Sequence, residues 1–302
     1  MDFRQLEYVI TIARERTLLS AAQRLFLSPS ALSQHIAKLE DELKTPLFKR
    51  TKQGWLPTYA GEIYIDMAED ILDRQKQAYL RINDIADNTA GHFTVGVTVG
   101  RGAQLFSTIF PRFNLLYPHV KIDLFEGTVD QIQDMISSGN VDIGFLSGVP
   151  ETPGICTIHQ ANEEILLVVP KSHPMAILAE TAPEGDFATV ELQNFAQDAF
   201  LLAGEGTTLR AVEDHLFSLC EFAPKIAFET PSMQTLHLLS KGGYGLTFLP
   251  KFYAEGEQDA VFFHTSPSAN WSLAAAYRKD HYITKAEQTM IDLATQYYLK
   301  EE

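Results

Sequence analysis

Ser30, Ser33 and Gln34 stand on one side of "LSPSALSQHIAKLEDEL", residues 27–43, with Lys38 one turn further along. Hydroxyls and a carboxamide are groups that read base edges: glutamine makes paired hydrogen bonds to adenine, and serine serves several bases. They are also short and uncharged where a surface helix usually carries charge, so another molecule could approach the first turns closely. Lys49, Arg50 and Lys52 follow in "KTPLFKRTKQGWLPT", where Arg50 and Lys52 suit phosphate contacts. Thr58 has two open readings, a cap for the next helix or one more phosphate contact.

A second group of residues suits a small ligand. Thr98, Gly100, Arg101 and Gly102 come after one alternating apolar run, Thr128 precedes a helical pattern, Ser147 ends another run, and Thr207 and Thr208 lie in "GEGTTLR". Ligands of open α/β sheets bind beyond the carboxyl ends of strands, where helix N-termini offer amide hydrogens. Hydroxyl-lined helix starts suit a small polar or anionic metabolite, with Arg101 as the local compensating charge. Other chemistries lack their residues. "GRGAQL" puts Leu105 where a dinucleotide fingerprint needs its third glycine, and no GxxxxGK[ST] occurs. The nine histidines form no HExxH, no GxSxG elbow is present, and Cys156 and Cys220 make no CxxC. The expectation is a protein that is not an enzyme, with no catalytic residue, no metal site and no cofactor.

These groups need elements to hold them. Leu32, Ile36, Leu39 and Leu43 recur at steps of four, three and four, a core stripe on a helix that Ser28 caps and Pro29 opens. Ahead of it, "FRQLEYVITIARE" puts Leu6, Val9, Ile10 and Ala13 on one face, and "LSAAQRLF" turns Leu19, Ala22 and Leu25 inward. With the tight "LFLS" turn these form a helix-turn-helix, whose second helix enters the major groove N-terminus first. Pro46, Gly54 and Pro57 then break helix, as in a wing. From Gly61 to Asn88, Tyr64, Ala68, Ile71, Gln75, Ala78, Ile82 and Ile85 alternate steps of four and three, flanked by Ile65, Leu72, Tyr79 and Ala86. That seam predicts a long dimerising helix, and "NTAG" at 88–91 a hinge.

Strands "HFTVGVTV", "VKIDLF" and "VDIGFL", with helical stretches between them, imply a parallel βαβ sheet. "EILLVV", "AFLLA", "KIAFE" and "GLTFLP" supply a second set, and "WSLAAAYR" with the last helix returns to the first sheet, giving two lobes and a cleft. The net charge of −15 is uneven, +3 over residues 1–60 and −18 over the rest. A basic head on an acidic body suits phosphate contact at one end only. The N-terminus lacks a basic-then-apolar leader and no apolar run is long enough for a bilayer, so a cytoplasmic place with no membrane partner is expected.

With these pieces in order, the chain resembles the LysR-type transcriptional regulators over essentially its whole length. The resemblance is carried by "AAQRLFLSPSALSQHIAKLEDELKTPLFKR", "LPTYAG", "FPRFNLLYP", "GNVDIGF", "LVVPKSHP" and "GGYGLTFLP". Pro29 and Ser30 stand where the family usually has Gln and Pro, and the loop after the first strand is longer than its commonest form. The resemblance implies an α/β chain: an N-terminal all-α winged helix-turn-helix at 1–60, a linker helix at 61–90, and a two-lobed periplasmic-binding-protein-like effector domain at 91–302. Lobe I would be 91–161 with 268–302, and lobe II 162–267. It further implies base contacts from Ser30, Ser33, Gln34 and Lys38, a double-stranded DNA dyad, an effector between the lobes, a homodimer or homotetramer, and RNA polymerase as a further contact. A two-lobed solute-binding protein fits the body equally well; the missing leader and the first 90 residues speak against it.

Overall fold

Asp2 accepts a hydrogen bond from the Arg4 amide and Gln5 answers in a capping box, so α1 (Phe3–Glu15) starts sharply; it ends at Arg16, which is left-handed at φ 58°. The computed structural model describes residues 2–52, 54–85, 91–148 and 152–299. They divide into two compact units, Met1–Asn88 and Thr89–Glu302.

In the first unit Leu6, Val9, Ile10 and Ile12 of α1 are buried against α2 (Leu18–Arg24) and α3 (Pro29–Leu43). Thr17 caps α2 and Ser28 caps α3, the latter accepting from the Ala31 amide at 3.2 Å, with Pro29 in the first turn. Two residues expected in the core are outside it. Leu19 is 61% exposed, because the seven-residue α2 buries only Ala21 and Ala22, and Leu43 is 42% exposed, because α3 ends there, beyond the last buried leucine, Leu39.

The wing is the antiparallel pair β1 (Phe48–Thr51) and β2 (Gly54–Pro57), with Arg50 opposite Trp55. One carboxylate sets its approach: Glu40 Oε1 accepts the amides of Leu47 at 2.7 Å and Phe48 at 3.1 Å. Leu47 in turn gives its carbonyl to the Thr58 amide, and a Cβ at position 61 would lie 2.0 Å from that oxygen. Gly61 is therefore required by close approach at the start of α4 (Tyr59–Ile85). Tyr64 and Ala68 of the expected dimer seam are buried, and Ile71 partly so, in the core of this same unit. Tyr79 and Ile82, further along, are exposed. Ala86 and most of the expected 88–91 hinge lie outside the described residues.

The second unit opens β3 (Gly91–Thr98), α5 (Arg101–Leu116), β4 (Val120–Gly127), α6 (Val129–Ser137) and β5 (Ile143–Ser147), with β3 parallel to both other strands. The sixteen-residue β6 (Ile155–Pro170) follows, then β7 (Ala188–Glu191), β8 (Ala199–Ala203), α7 (Thr208–Leu219), β9 (Lys225–Thr230), α8 (Met233–Lys241), β10 (Thr247–Pro250), β11 (Ala260–Ser266), β12 (Ala269–Arg278) and α9 (Lys285–Tyr298). One eight-stranded sheet runs β4-β3-β5-β12-β6-β11-β7, with β10 also on β6, while β8 and β9 form a parallel pair apart. The long strands explain this. β6 pairs with β12 over its first part and with β10 and β11 over its second, so the sheet passes through both lobes. The apolar core follows it, from Phe93 and Phe113 to Phe200 and Phe248. Among the described residues no helix is long and apolar enough to cross a membrane.

Candidate functional site

In the first unit, α3 presents Ser30, Gln34 and Lys38 to solvent, with Ser33 half-buried. The Ser30 hydroxyl lies 3.1 Å from the capping hydroxyl of Ser28. Gln34, Lys38, Arg50 and Lys52 are exposed, and their side chains have no partner among the described residues. Thr58 differs. Its one hydroxyl hydrogen goes to the Pro46 carbonyl at 2.7 Å, its oxygen accepts the Gly61 amide at 3.1 Å, and its own amide is held by Leu47. No donor is left for a phosphate, so of its two readings the helix cap holds and the phosphate contact does not.

In the second unit, a cavity of about 840 Å³ opens at the carboxyl ends of β3, β4, β5, β8 and β9. The starts of α5, α6, α7 and α8 converge on it, as strand-to-helix geometry predicts for α/β ligand sites. Thr98, Gly100, Arg101, Thr128, Ser147, Thr207 and Thr208 all line it. Gly102 does not: a Cβ there would stand 3.0 Å from Val97 Cβ, so it is a packing glycine that seats α5 on β3. Ser232, Met233, Tyr253, Trp271 and Arg210 are also in the wall. Ser232 follows the same strand-end, helix-start logic and was within reach of the sequence; Tyr253 and Trp271 enter from a 3-10 turn and from mid-strand and had no such signal.

Arg101 departs most from expectation. It opens α5 and is only 3% exposed, its Nε 3.1 Å from Glu163 Oε1 and its guanidinium over the rings of Phe252 and Tyr298 at 4.9 and 5.0 Å. Trp271 Nε1 donates to the other Glu163 oxygen at 3.0 Å. The charge is thus bound internally and is not held out to compensate an anion. Arg210 is bound in the same way, to Asp214 at 2.8 Å and to Glu229, and these two carboxylates hold its pKa up. Behind it, burial pushes Glu213 up to about 8 while its Oε2 accepts the Ala203 amide. Burial likewise pushes Tyr253 up to about 12, so its hydroxyl keeps its proton. A second cavity, about 430 Å³, lies between β6 and the Lys251–Ala254 turn and shares Arg101 with the first.

Asp142, His281 and Glu287 are buried with ligand-type atoms within 4.8 Å of one another, a grouping that sequence spacing did not reveal. They could offer a metal one imidazole and two carboxylates. The same atoms already hold each other and the backbone: His281 Nε2 to Glu287 at 3.0 Å, Asp142 to the Thr94 amide at 2.8 Å, and Glu287 to the Thr284 amide at 2.7 Å. As it stands the cluster pins the start of α9 to the sheet.

The family model for the LysR substrate binding domain matches residues 86–298, and that for bacterial regulatory helix-turn-helix proteins of the lysR family matches residues 3–62. The second match favours the regulator over a solute-binding protein. The chain is 29% identical to the HTH-type transcriptional regulator YcgK of Bacillus subtilis, over 97% of this chain and 94% of that one. It is 26% identical to a hydrogen peroxide-inducible genes activator of Haemophilus influenzae, over 92% and 91%. A full-length OxyR variant from Pseudomonas aeruginosa has a similar fold, with TM-score 0.71, 22% identity, and coverage of 98% and 94%.

Proposed function

The chain belongs to the LysR family of DNA-binding transcriptional regulators with an effector-binding domain, and on that premise we propose how its surfaces divide the work. The head is 1–60, the connecting helix 61–90 and the effector domain 91–302, with lobe I at 91–161 and 268–302 and lobe II at 162–267. Ser30, Ser33 and Gln34 read base edges with Lys38 behind them, and Arg50 and Lys52 hold phosphate. The observation that carries this is that Gln34, Lys38, Arg50 and Lys52 are exposed and unengaged among the described residues, beside a sharply capped helix start. Site selection from random duplexes tests it. Gln34→Ala loses preference at one base pair of each half-site, worth about 1–3 kcal/mol. An unchanged consensus overturns the assignment.

The cleft takes the effector, and two exposed apolar edges take a second copy of the chain. Leu115 and Leu116 of α5 lie exposed in one lobe with Leu124 on the edge strand β4, and Leu219, Ile226 and Phe228 are exposed in the other. A two-fold pairing sets each patch against the other kind and closes into a dimer, from which a tetramer can be built. Thiol oxidation has less support as the signal. Neither Cys156 nor Cys220 lines the cleft, and burial pushes the Cys220 thiol up, away from reactive thiolate.

A further inference from the structure

The corner where α1 meets α2 carries three arginines, and two of them are spent inside the head. Arg14 reaches Glu69 of α4 at 2.9 Å, and Arg24 reaches Glu15 at 2.9 Å while the Ser20 hydroxyl donates to the other oxygen of that carboxylate. Arg16, between them in the chain, is exposed, and its guanidinium has no partner among the described residues. At φ 58° it occupies the left-handed position that closes α1, which glycine enters without steric cost and a residue with a Cβ does not. A cation suits a helix C-terminus, but Arg14 already stands in that last turn. What position 16 gains from arginine is a long, free, charged side chain.

The fold fixes where that side chain starts. The Arg16 carbonyl accepts the Trp55 amide at 2.8 Å, and Trp55 is the residue opposite Arg50 in the wing. The Arg16 Cβ is 3.4 Å from the place a Cβ would take at position 54, where the turn that holds Lys52 rejoins β2. Arg16, Arg50 and Lys52, all exposed and without partners among the described residues, thus arise from one corner of the head. Like charges gathered in this way repel one another, and a polyanion relieves the repulsion.

We propose that Arg16 is a third phosphate-binding residue of the head, gripping the backbone of double-stranded DNA next to the phosphates held by Arg50 and Lys52. This rests on the reading of the head as the DNA-binding surface and extends that surface from the wing to the end of α1. A guanidinium offers its N–H donors in a fixed fork and takes a phosphate through two of them, where an ammonium acts as a point charge. Such a contact fixes register and adds affinity on every sequence.

The full chain is titrated with a pool of random-sequence duplexes, on which phosphate contacts register whatever the operator, over salt from about 50 to about 200 mM. Arg16→Gly should hold or raise the thermal midpoint, weaken binding on all duplexes and lower the log–log salt slope by about one. The fall in affinity across that salt range then shrinks about 3.5-fold. Arg16→Lys should recover the slope. Lys44→Gly is the control for charge alone and should leave the slope unchanged. Lys44 is also left-handed, at φ 54°, but it pairs with Asp41 at 3.0 Å and closes the far end of α3. That is about 20 Å from the helix start placed in the groove. A slope lost equally in Lys44→Gly, or kept in Arg16→Gly while Lys52→Ala flattens it, overturns the contact and leaves the reading of the head intact. Slopes unmoved in both Arg16→Gly and Lys52→Ala overturn that reading and the contact with it. Should Arg16→Gly lower the midpoint, Arg16→Lys against Arg16→Gln decides, since equal slopes in these two make the role of Arg16 structural and overturn the contact.

Discussion

On the winged head, Gln34, Lys38, Arg50 and Lys52 stand in solvent without partners among the described residues, whereas in the cleft of the second unit Arg101 and Arg210 are each held by carboxylates of their own domain. The same residue type serves opposite ends. A surface meant for a polyanion keeps its cations free and spends little folding energy on them, because exposed charges contribute little to stability. An interior meant for a small molecule cannot leave a charge unpaired, since burying one alone costs several kcal/mol. Changes in the cleft should therefore register in folding, and changes on the head in binding.

The sharpest way to break that contrast is Glu163→Leu. It leaves the Arg101 guanidinium buried without its carboxylate, and urea unfolding of the effector domain should lose about 3–5 kcal/mol. A loss below about 1 kcal/mol would show that the pair is not structural. Next in size is Glu213→Gln. Burial holds Glu213 up to about 8 against an ordinary 4.5, so between those pH values the folded chain keeps a proton that the unfolded chain releases, and stability falls as pH rises through the window. The variant lacks this loss. Compared at pH 5 and pH 8, it should gain on the wild type by on the order of 1–4 kcal/mol at the higher pH. Lys52→Ala is smallest in folding terms: the thermal midpoint stays put, while binding weakens on all duplexes and the log–log salt slope drops by about one. A midpoint that moves with it would mean the wing lysine has a structural task.

How far each site can be read from the chain follows from the same contrast. The head's readers and their supports are nearly consecutive, so a helical stripe, a capping serine and a first-turn proline locate them together. Periodicity failed only at the ends, at Leu19 and Leu43, because a repeat does not record where a helix leaves its core. Glu40 shows what a motif conceals: its place in "KLEDEL" is visible, but the two amides it holds, Leu47 and Phe48, lie across a turn. The cleft's hydroxyls were legible because strand ends and helix starts are legible. Arg101 was not. Its partners Glu163, Phe252 and Tyr298 come from three distant elements, and nothing near "GRGAQL" shows that the charge is already taken. The short strands β7 and β11 and the polar first half of β6 escaped for the same reason, since the neighbours that make them strands are remote.

The strand shared by the lobes, β6, has a mechanical meaning together with its partner β12. β6 runs on from β12 to β10 and β11 without leaving the sheet, and β12 shifts register once, between Leu273 and Ala274. The jaws of the effector domain are thus cut from a single hydrogen-bonded strip, like the arms of tweezers bent from one piece of metal. Narrowing the gap must flex that strip and meets an elastic restoring force, where a pair of loose joints would turn freely. If the cleft is the effector site, a ligand that narrowed it would work against that spring.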